Sequence, residues 1–319
     1  MKFTPIKHRR FYLAFVGVMM ALSVASIVVF GLKPGIDFTG GAIIEVVGSS
    51  VTVESVEEVV AASAPAGYSL RTTEGGVIVR TAPLDDTQRQ DLTGAIEAAG
   101  MSVSRLNAVG PTLGSELAYK SVVAMTLVIA AVLIYVAIAF AGVREPVGSW
   151  TYGTIVVVSL VHDILIPLGL FAALGAFAGF EVDSLFVTAL LVILGYSIND
   201  TIVIFDRVRE NLRMRKLEQE KSTKAKSAEP VDRAVIAEEF PALVERSVRE
   251  TLARSLNTSI TTALSLAVLY FVGAESTQTF ALALFAGVIA GAWSSLFLAA
   301  PLLVIVERRA AQKAARAQA

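Results

Sequence analysis

The sequence contains no cysteine, which excludes disulfides, thiolate metal sites and cysteine nucleophiles. It has two histidines, His8 and His162, too few for a histidine-based metal site. Charge is scarce: 17% of residues are charged against 55% hydrophobic, and the net charge is −1. That balance gives no global attraction to nucleic acid. No nucleophile–base pair and no metal constellation can be read, so an enzyme, a metal or another cofactor is not expected. What the chain has in abundance is apolar length. A mean hydropathy of +0.66 is the profile of a polytopic membrane protein.

Six apolar runs approach the ~20 residues that a helix needs to span a bilayer. They are Phe11–Leu32, Ser121–Phe140, Trp150–Leu174, Leu185–Phe205, Ser255–Val272 and Thr279–Val306. The first follows Lys7-His8-Arg9-Arg10 and is too long for the core of a signal peptide, so it reads as an uncleaved anchor. Lysines and arginines set the orientation. Four basic residues precede the first run, Arg144 lies between the second and third, twelve fall from Arg207 to Arg254, and four follow Val306. Segments 175–184 and 273–278 contain none. Both termini are therefore expected in the cytoplasm.

The segment 33–118 loses the apolar character. Gly41–Val47 reads as a strand, and Thr52 can cap a helix over Val53–Ser63 that Pro65-Ala66-Gly67 ends. Tyr68–Thr73 and Val77–Thr81 flank the hairpin signal Glu74-Gly75-Gly76. Asp85-Asp86 caps a second helix ending at Gly100, and Met101–Val109 is a fourth strand. The order βαββαβ predicts a ferredoxin-like α+β domain outside the membrane. Before it stands Gly35-Ile36-Asp37-Phe38-Thr39-Gly40-Gly41. It lacks the lysine of a phosphate-cradling loop and no helix is expected after it, so it reads as a structured junction. Gly110-Pro111-Thr112 marks the return. The expected partition is 1–32, 33–118 (the domain), 119–206 (spans two to four), 207–253 (a cytoplasmic loop), 254–306 (spans five and six) and 307–319 (a cytoplasmic tail).

The stretch 195–211, GYSINDTIVIFDRVREN, stands apart. Asn199 and Asp200 lie inside an apolar run, with Asp206 and Arg207 at its end. An aspartate at the centre of a membrane helix costs about 2.5–3.5 kcal/mol, so it must meet a partner, a cavity or a proton. In the third run Ser159, His162 and Asp163 share one helical face, with Pro167 one turn on. The His162–Asp163 pair can be a proton relay or a structural polar contact. Arg254, Thr258, Thr261, Thr262 and Ser265 form a stripe on the fifth run, and hydroxyl packing is the simplest reading of the threonines. Gly287 and Gly291 in the sixth allow close helix approach. At about 1.5 Å per residue, Asp200 and Arg254 fall at depths compatible with an ion pair. Asp163 falls further toward the outside, in a ladder of titratable groups. Leu217–Pro230, LEQEKSTKAKSAEP, is expected to be mobile or a loosely held charged helix.

Three stretches together carry a resemblance: GIDFTGG at 35–41, SINDTIVIFDRVREN at 197–211 and TLARSLNTSITT at 251–262. In this order the chain resembles the SecD/SecF family of bacterial protein-export membrane proteins, on its SecF branch, within the RND superfamily. The resemblance covers essentially the whole chain; the stretch around 215–238 looks longer than the family's pattern. It implies an α-helical polytopic inner-membrane protein of six transmembrane helices, half of an RND-type transporter, with SecD supplying the other half. It implies use of proton-motive force to promote late steps of polypeptide movement at the SecYEG translocon, with YajC and SecA as further partners beside unfolded polypeptide and membrane lipid. It places proton transfer at Asp200 and Arg254, and puts Asp206 and Arg207 in the same motif. Two other classes stay open: an RND-type exporter of lipids or small hydrophobic molecules, and a passive assembly factor. The first needs a substrate cavity between helices or in an enlarged outer domain, for which the segment 33–118 is small, and the number of titratable groups inside the membrane argues against the second.

Overall fold

The structure is a computed structural model and describes residues 4–48, 51–63, 67–73, 75–141, 148–226 and 233–318. Pro65 and Ala66 of the expected helix breaker, Glu74 of the hairpin signal, Arg144 and residues 227–230 of the charged stretch lie outside the described residues.

In chain order the elements are α1 (Arg9–Phe30), α2 (Ile36–Thr39), β1 (Gly41–Val47), α3 (Val53–Ser63), β2 (Tyr68–Thr73), β3 (Gly76–Thr81), α4 (Asp86–Ala98) and β4 (Ser102–Val109). Then follow α5 (Pro111–Ala139), α6 (Ser149–Ala178), α7 (Ser184–Lys226), α8 (Arg233–Val272), α9 (Glu275–Ser294), a π-helical turn (Ser295–Ala299) and α10 (Ala300–Gln318). Among the described residues, six helices are long and apolar enough to cross a membrane, with α9 to α10 acting as one. The chain forms two compact units. One is the α+β unit, Lys33–Ala124 with Glu181–Ser184, and the other is helical and holds the remainder.

In the α+β unit the strands form one antiparallel sheet in the order β2-β3-β1-β4, the ferredoxin-like arrangement. Strand alternation points Ile44 and Val46 of β1 and Val77 and Val79 of β3 to one face. Helical spacing adds Val56 and Val60 of α3 and Leu92 and Ile96 of α4, and all eight are buried. Burying each such side chain contributes about 1.5–3 kcal/mol. Local chemistry sets the helix starts. Asp85 accepts from the Gln88 backbone N–H while the Gln88 side chain accepts from the Asp85 N–H, a capping box. Thr52 accepts from the Ser55 N–H at 3.2 Å. The motif 35–41 departs from the sequence reading by containing the single-turn helix α2. Its Gly40 (φ +74°) and Gly41 (φ +140°) are crowded by Pro111 and by the Thr81 carbonyl, which a Cβ would meet at 3.0 and 2.7 Å. Only glycine suits such a backbone.

In the helical unit α6 packs against α1 and α9, and α8 packs against α9. A Cβ at Gly169 of α6 would lie 2.5 Å from the Ser23 Cα of α1, and Ser26 donates its hydroxyl to the Gly169 carbonyl at 2.7 Å. A Cβ at Gly287 would meet Ile193 at 2.1 Å, and one at Gly291 would meet the Ser197 Cβ at 2.9 Å. The small-residue spacing on α9 therefore brings that helix onto α7. α1 and α5 leave large apolar side chains uncovered, Val28 at 78% and Ile138 at 69% exposure, as a lipid-facing surface does. The charged stretch after Leu217 continues α7 as helix to Lys226.

Candidate functional site

On α7, Ser197, Asp200, Thr201, Ile204, Phe205 and Val208 are buried on one face, as i, i+3, i+4 spacing requires. Asp200 is 4% exposed. One of its carboxyl oxygens accepts from the Ser259 hydroxyl of α8 at 3.2 Å. Ser255, one turn earlier on that face, is buried beside the same carboxyl. Among the described residues no ion pair joins Asp200 to Arg254, which corrects the contact inferred from depth. Ser255 and Ser259 occupy the inward face of α8, so the adjacent Arg254 is turned away by a helical step and is exposed. Arg254 lines a cleft of about 370 Å³ with Asp206, Arg207, Glu210, Glu250 and Thr251.

Asp163 of α6 is fully buried and saturated with partners. His162 Nδ1 lies 2.8 Å from its Oδ1. Its Oδ2 accepts from Ser294 of α9 at 2.9 Å and from Ser197 of α7. One carboxyl thus joins three helices, and these partners meet the demand that a buried charge be hydrogen-bonded. Thr201 and Ser295 share a hydrogen bond at 2.8 Å beside it. Ser295 opens the π-helical turn, a geometry that re-aims side chains within a helix. Pro167 lies inside α6 and removes the N–H that would otherwise serve the Asp163 carbonyl. The spread-out ladder expected from sequence is also corrected. Ser197, bound to Asp163, is three residues from Asp200, about 4.5 Å along α7. The apolar run ends at Phe205, but the buried face continues through Val208 and Leu212, so depth counted from Phe205 is misleading.

Asp206 pairs with Arg209. Arg207 bridges to Glu210 and to Glu250 of α8, each at 2.6 Å. Asn211 adds bonds to Glu250 and Ser247 at 3.0 and 2.9 Å. This network ties α7 to α8 below the buried carboxyls; each solvent-exposed pair is worth about 0–1 kcal/mol. Beside it Phe140 stacks on Tyr152 and Tyr152 meets Phe205 edge to face, with Arg209 over the Phe140 ring at 5.4 Å. Asn199 is exposed and lies off the buried face. The hydroxyls of Thr258, Thr261 and Ser265 turn back onto backbone carbonyls of α8 itself. Thr262 also accepts from the Tyr196 hydroxyl at 3.1 Å. Asp37 is in the α+β unit, where it accepts from the Ser184 backbone N–H at 2.9 Å.

Sequence reasoning passed over Ser255, Ser259, Ser294 and Ser295. The available signal was a pair of serines one turn apart near Arg254, and a serine pair one turn after Gly291.

The description "Protein export membrane protein SecD/SecF, C-terminal" matches residues 90–309, and "SecD/SecF GG Motif" matches residues 25–47. The protein translocase subunit SecF of Anaerolinea thermophila is 34% identical over 306 residues, covering 92% of this chain and 91% of its own length. That of Vibrio alginolyticus is 34% identical, covering 89% and 83%. Among solved structures, SecDF of Thermus thermophilus, titled a translocon-associated membrane protein, superposes with a TM-score of 0.74 at 29% identity over 96% of this chain. SecDF in its super-membrane-facing form gives 0.67 at 29% identity. This chain spans 38% and 40% of those two SecDF chains. With a family match over most of its length and relatives alike along nearly the whole of it, the chain belongs to the SecD/SecF family of protein-export membrane proteins.

Proposed function

We propose that the chain acts as the SecF-type half of a SecD–SecF complex in a bacterial inner membrane, with both termini cytoplasmic. It uses proton-motive force to promote late steps of polypeptide transfer at the SecYEG translocon. Asp200 is the group that takes up and releases the proton, and Arg254, in the adjoining cleft, supplies the charge that it answers to. His162 and Asp163 hold the helices in register.

The observation that carries this reading is the contrast between two buried carboxyls. Asp163 has a partner from each of three elements. Asp200 has the Ser259 hydroxyl and, among the described residues, no ion pair. A buried carboxylate without a countercharge in contact is costly, and protonation relieves that cost. Loss of its charge weakens the attraction to Arg254 and lets α7 shift against α8. One elementary charge crossing the membrane releases about 2.3 kcal/mol per 100 mV, enough to bias a two-state rearrangement, so export requires repeated cycles.

The test is Asp200→Asn in the full chain with SecD. The variant should insert at the normal level and lose proton-dependent export and proton uptake into vesicles. Normal export by that variant overturns the assignment.

A further inference from the structure

Segment 181–184, which connects α6 to α7, is built into the α+β unit. Val182 bridges in parallel to Pro34. The Gly35 N–H donates to the Val182 carbonyl at 2.7 Å, and the Val182 N–H donates to the Lys33 carbonyl at 2.8 Å. Arg80 of β3 pairs with Glu181. A Cβ on Gly35 would press on the Asp183 Cβ and the Val182 carbonyl, both at 3.3 Å. The last contact is made by Asp37. Its Oδ2 accepts from the backbone N–H of Ser184 at 2.9 Å and from the Ser184 hydroxyl.

Ser184 is the first residue of α7. The first N–H groups of a helix have no partner within it, and a negative charge there is favoured by the helix dipole. Asp37 therefore caps, from a segment 147 residues away in sequence, the same helix that carries Asp200. α1 and α5 run covalently into segment 33–124 of the α+β unit, whereas the start of α7 is held to that segment by the non-covalent contacts of this strap. A helix transmits displacement as a rigid element, and Asp200 is 16 residues from Ser184, about 24 Å along α7.

We propose that Asp37 is a positioning residue that couples the proton site to the α+β unit. It keeps the first turn of α7 fastened to that unit, so that movement of α7 on protonation of Asp200 is delivered there. The 35–41 motif is thus a fastening rather than a ligand loop, and the strap stays closed through the cycle. The proposal rests on the reading of Asp200 as the proton-carrying group.

The chain has no cysteine, so a single introduced pair is unambiguous. Pro34→Cys with Val182→Cys places two thiols on paired backbones about 4.8 Å apart, within the reach of a disulfide, ~4.4–6.8 Å between Cα atoms. In the full chain with SecD, Asp37→Ala should insert normally and keep proton uptake into vesicles while losing most proton-dependent export. Oxidising the 34–182 pair should restore export to Asp37→Ala and leave the otherwise native chain active; reduction should remove the restoration. Normal export by Asp37→Ala overturns the proposal. So does loss of proton uptake together with export, failure of the disulfide to restore export, or inactivation of the native chain by the disulfide. Asp200→Asn separates the two readings. If it still takes up protons, the proton-site reading fails; if it does not and Asp37→Ala exports normally, the coupling alone fails.

Discussion

The Ser259 hydroxyl on α8 donates to the Asp200 carboxyl on α7 across 3.2 Å. Other α7–α8 hydrogen bonds flank it: Tyr196 to Thr262 one turn earlier on α7, and those from Arg207, Asn211 and Arg215 toward its charged end. The proposed proton site is thus a contact between two helices, and its chemistry is open to substitution on either side.

Ser259→Ala removes that donor and leaves the carboxyl among apolar neighbours and Ser255. A hydrogen bond to a charged group contributes about 1.5–3 kcal/mol. Proton-dependent export is expected to fall about tenfold or more, one factor of ten per 1.36 kcal/mol, with Ser259→Thr retaining most of it. Export rates of the two variants in inverted vesicles check this, and equal rates for Ser259→Ala and the native chain would remove Ser259 from the site.

Asp163→Ala strips the acceptor from His162, Ser197 and Ser294 at once. Breaking a buried charged network by removing one member costs about 3–5 kcal/mol, so a marked drop in Tm in detergent is expected. Asp163→Asn keeps an acceptor oxygen and the shape, and should retain insertion and most export. Complete loss of proton uptake in a stably folded Asp163→Asn would instead make Asp163 a proton carrier.

Two glycine-to-alanine changes should act in opposite directions. Gly169→Ala puts a Cβ against the backbone of Ser23 at 2.5 Å, where no flexible side chain can yield, and overpacking of this kind costs about 1–3 kcal/mol. Gly94→Ala, on an exposed turn of α4 with nothing within 4 Å, should stabilise the α+β unit by about 0.5–1 kcal/mol. Thermal unfolding of each variant beside the native chain decides both.

How far the sequence could be read varied with the distance between interacting residues. The Asp85–Gln88 capping box and the buried i, i+4 pairs of α3 and α4 are local, so composition and spacing expose them. The strand order β2-β3-β1-β4 follows from the βαββαβ pattern, because few topologies satisfy it. The inward turn of Ser255 and Ser259 was hidden because Arg254, the more conspicuous residue, occupies the neighbouring helical position. The depth of Asp200 was misjudged because apolar composition stops at Phe205 while the buried face of α7 does not.

By itself the sequence determined the six membrane helices and the α+β unit, and it marked Asp200 as a carboxyl inside an apolar run. Those follow from hydropathy, period and the cost of charge in lipid, all of which act along the chain. Only the tertiary structure decided which hydroxyls reach Asp200, that Asp163 joins α6, α7 and α9, and that Asp37 caps α7. Each of those contacts joins residues 34 to 147 positions apart. Such pairs are chosen by helix packing, through Gly287 and Gly291 on α9 and the strap at 181–184, and not by any spacing that the chain displays.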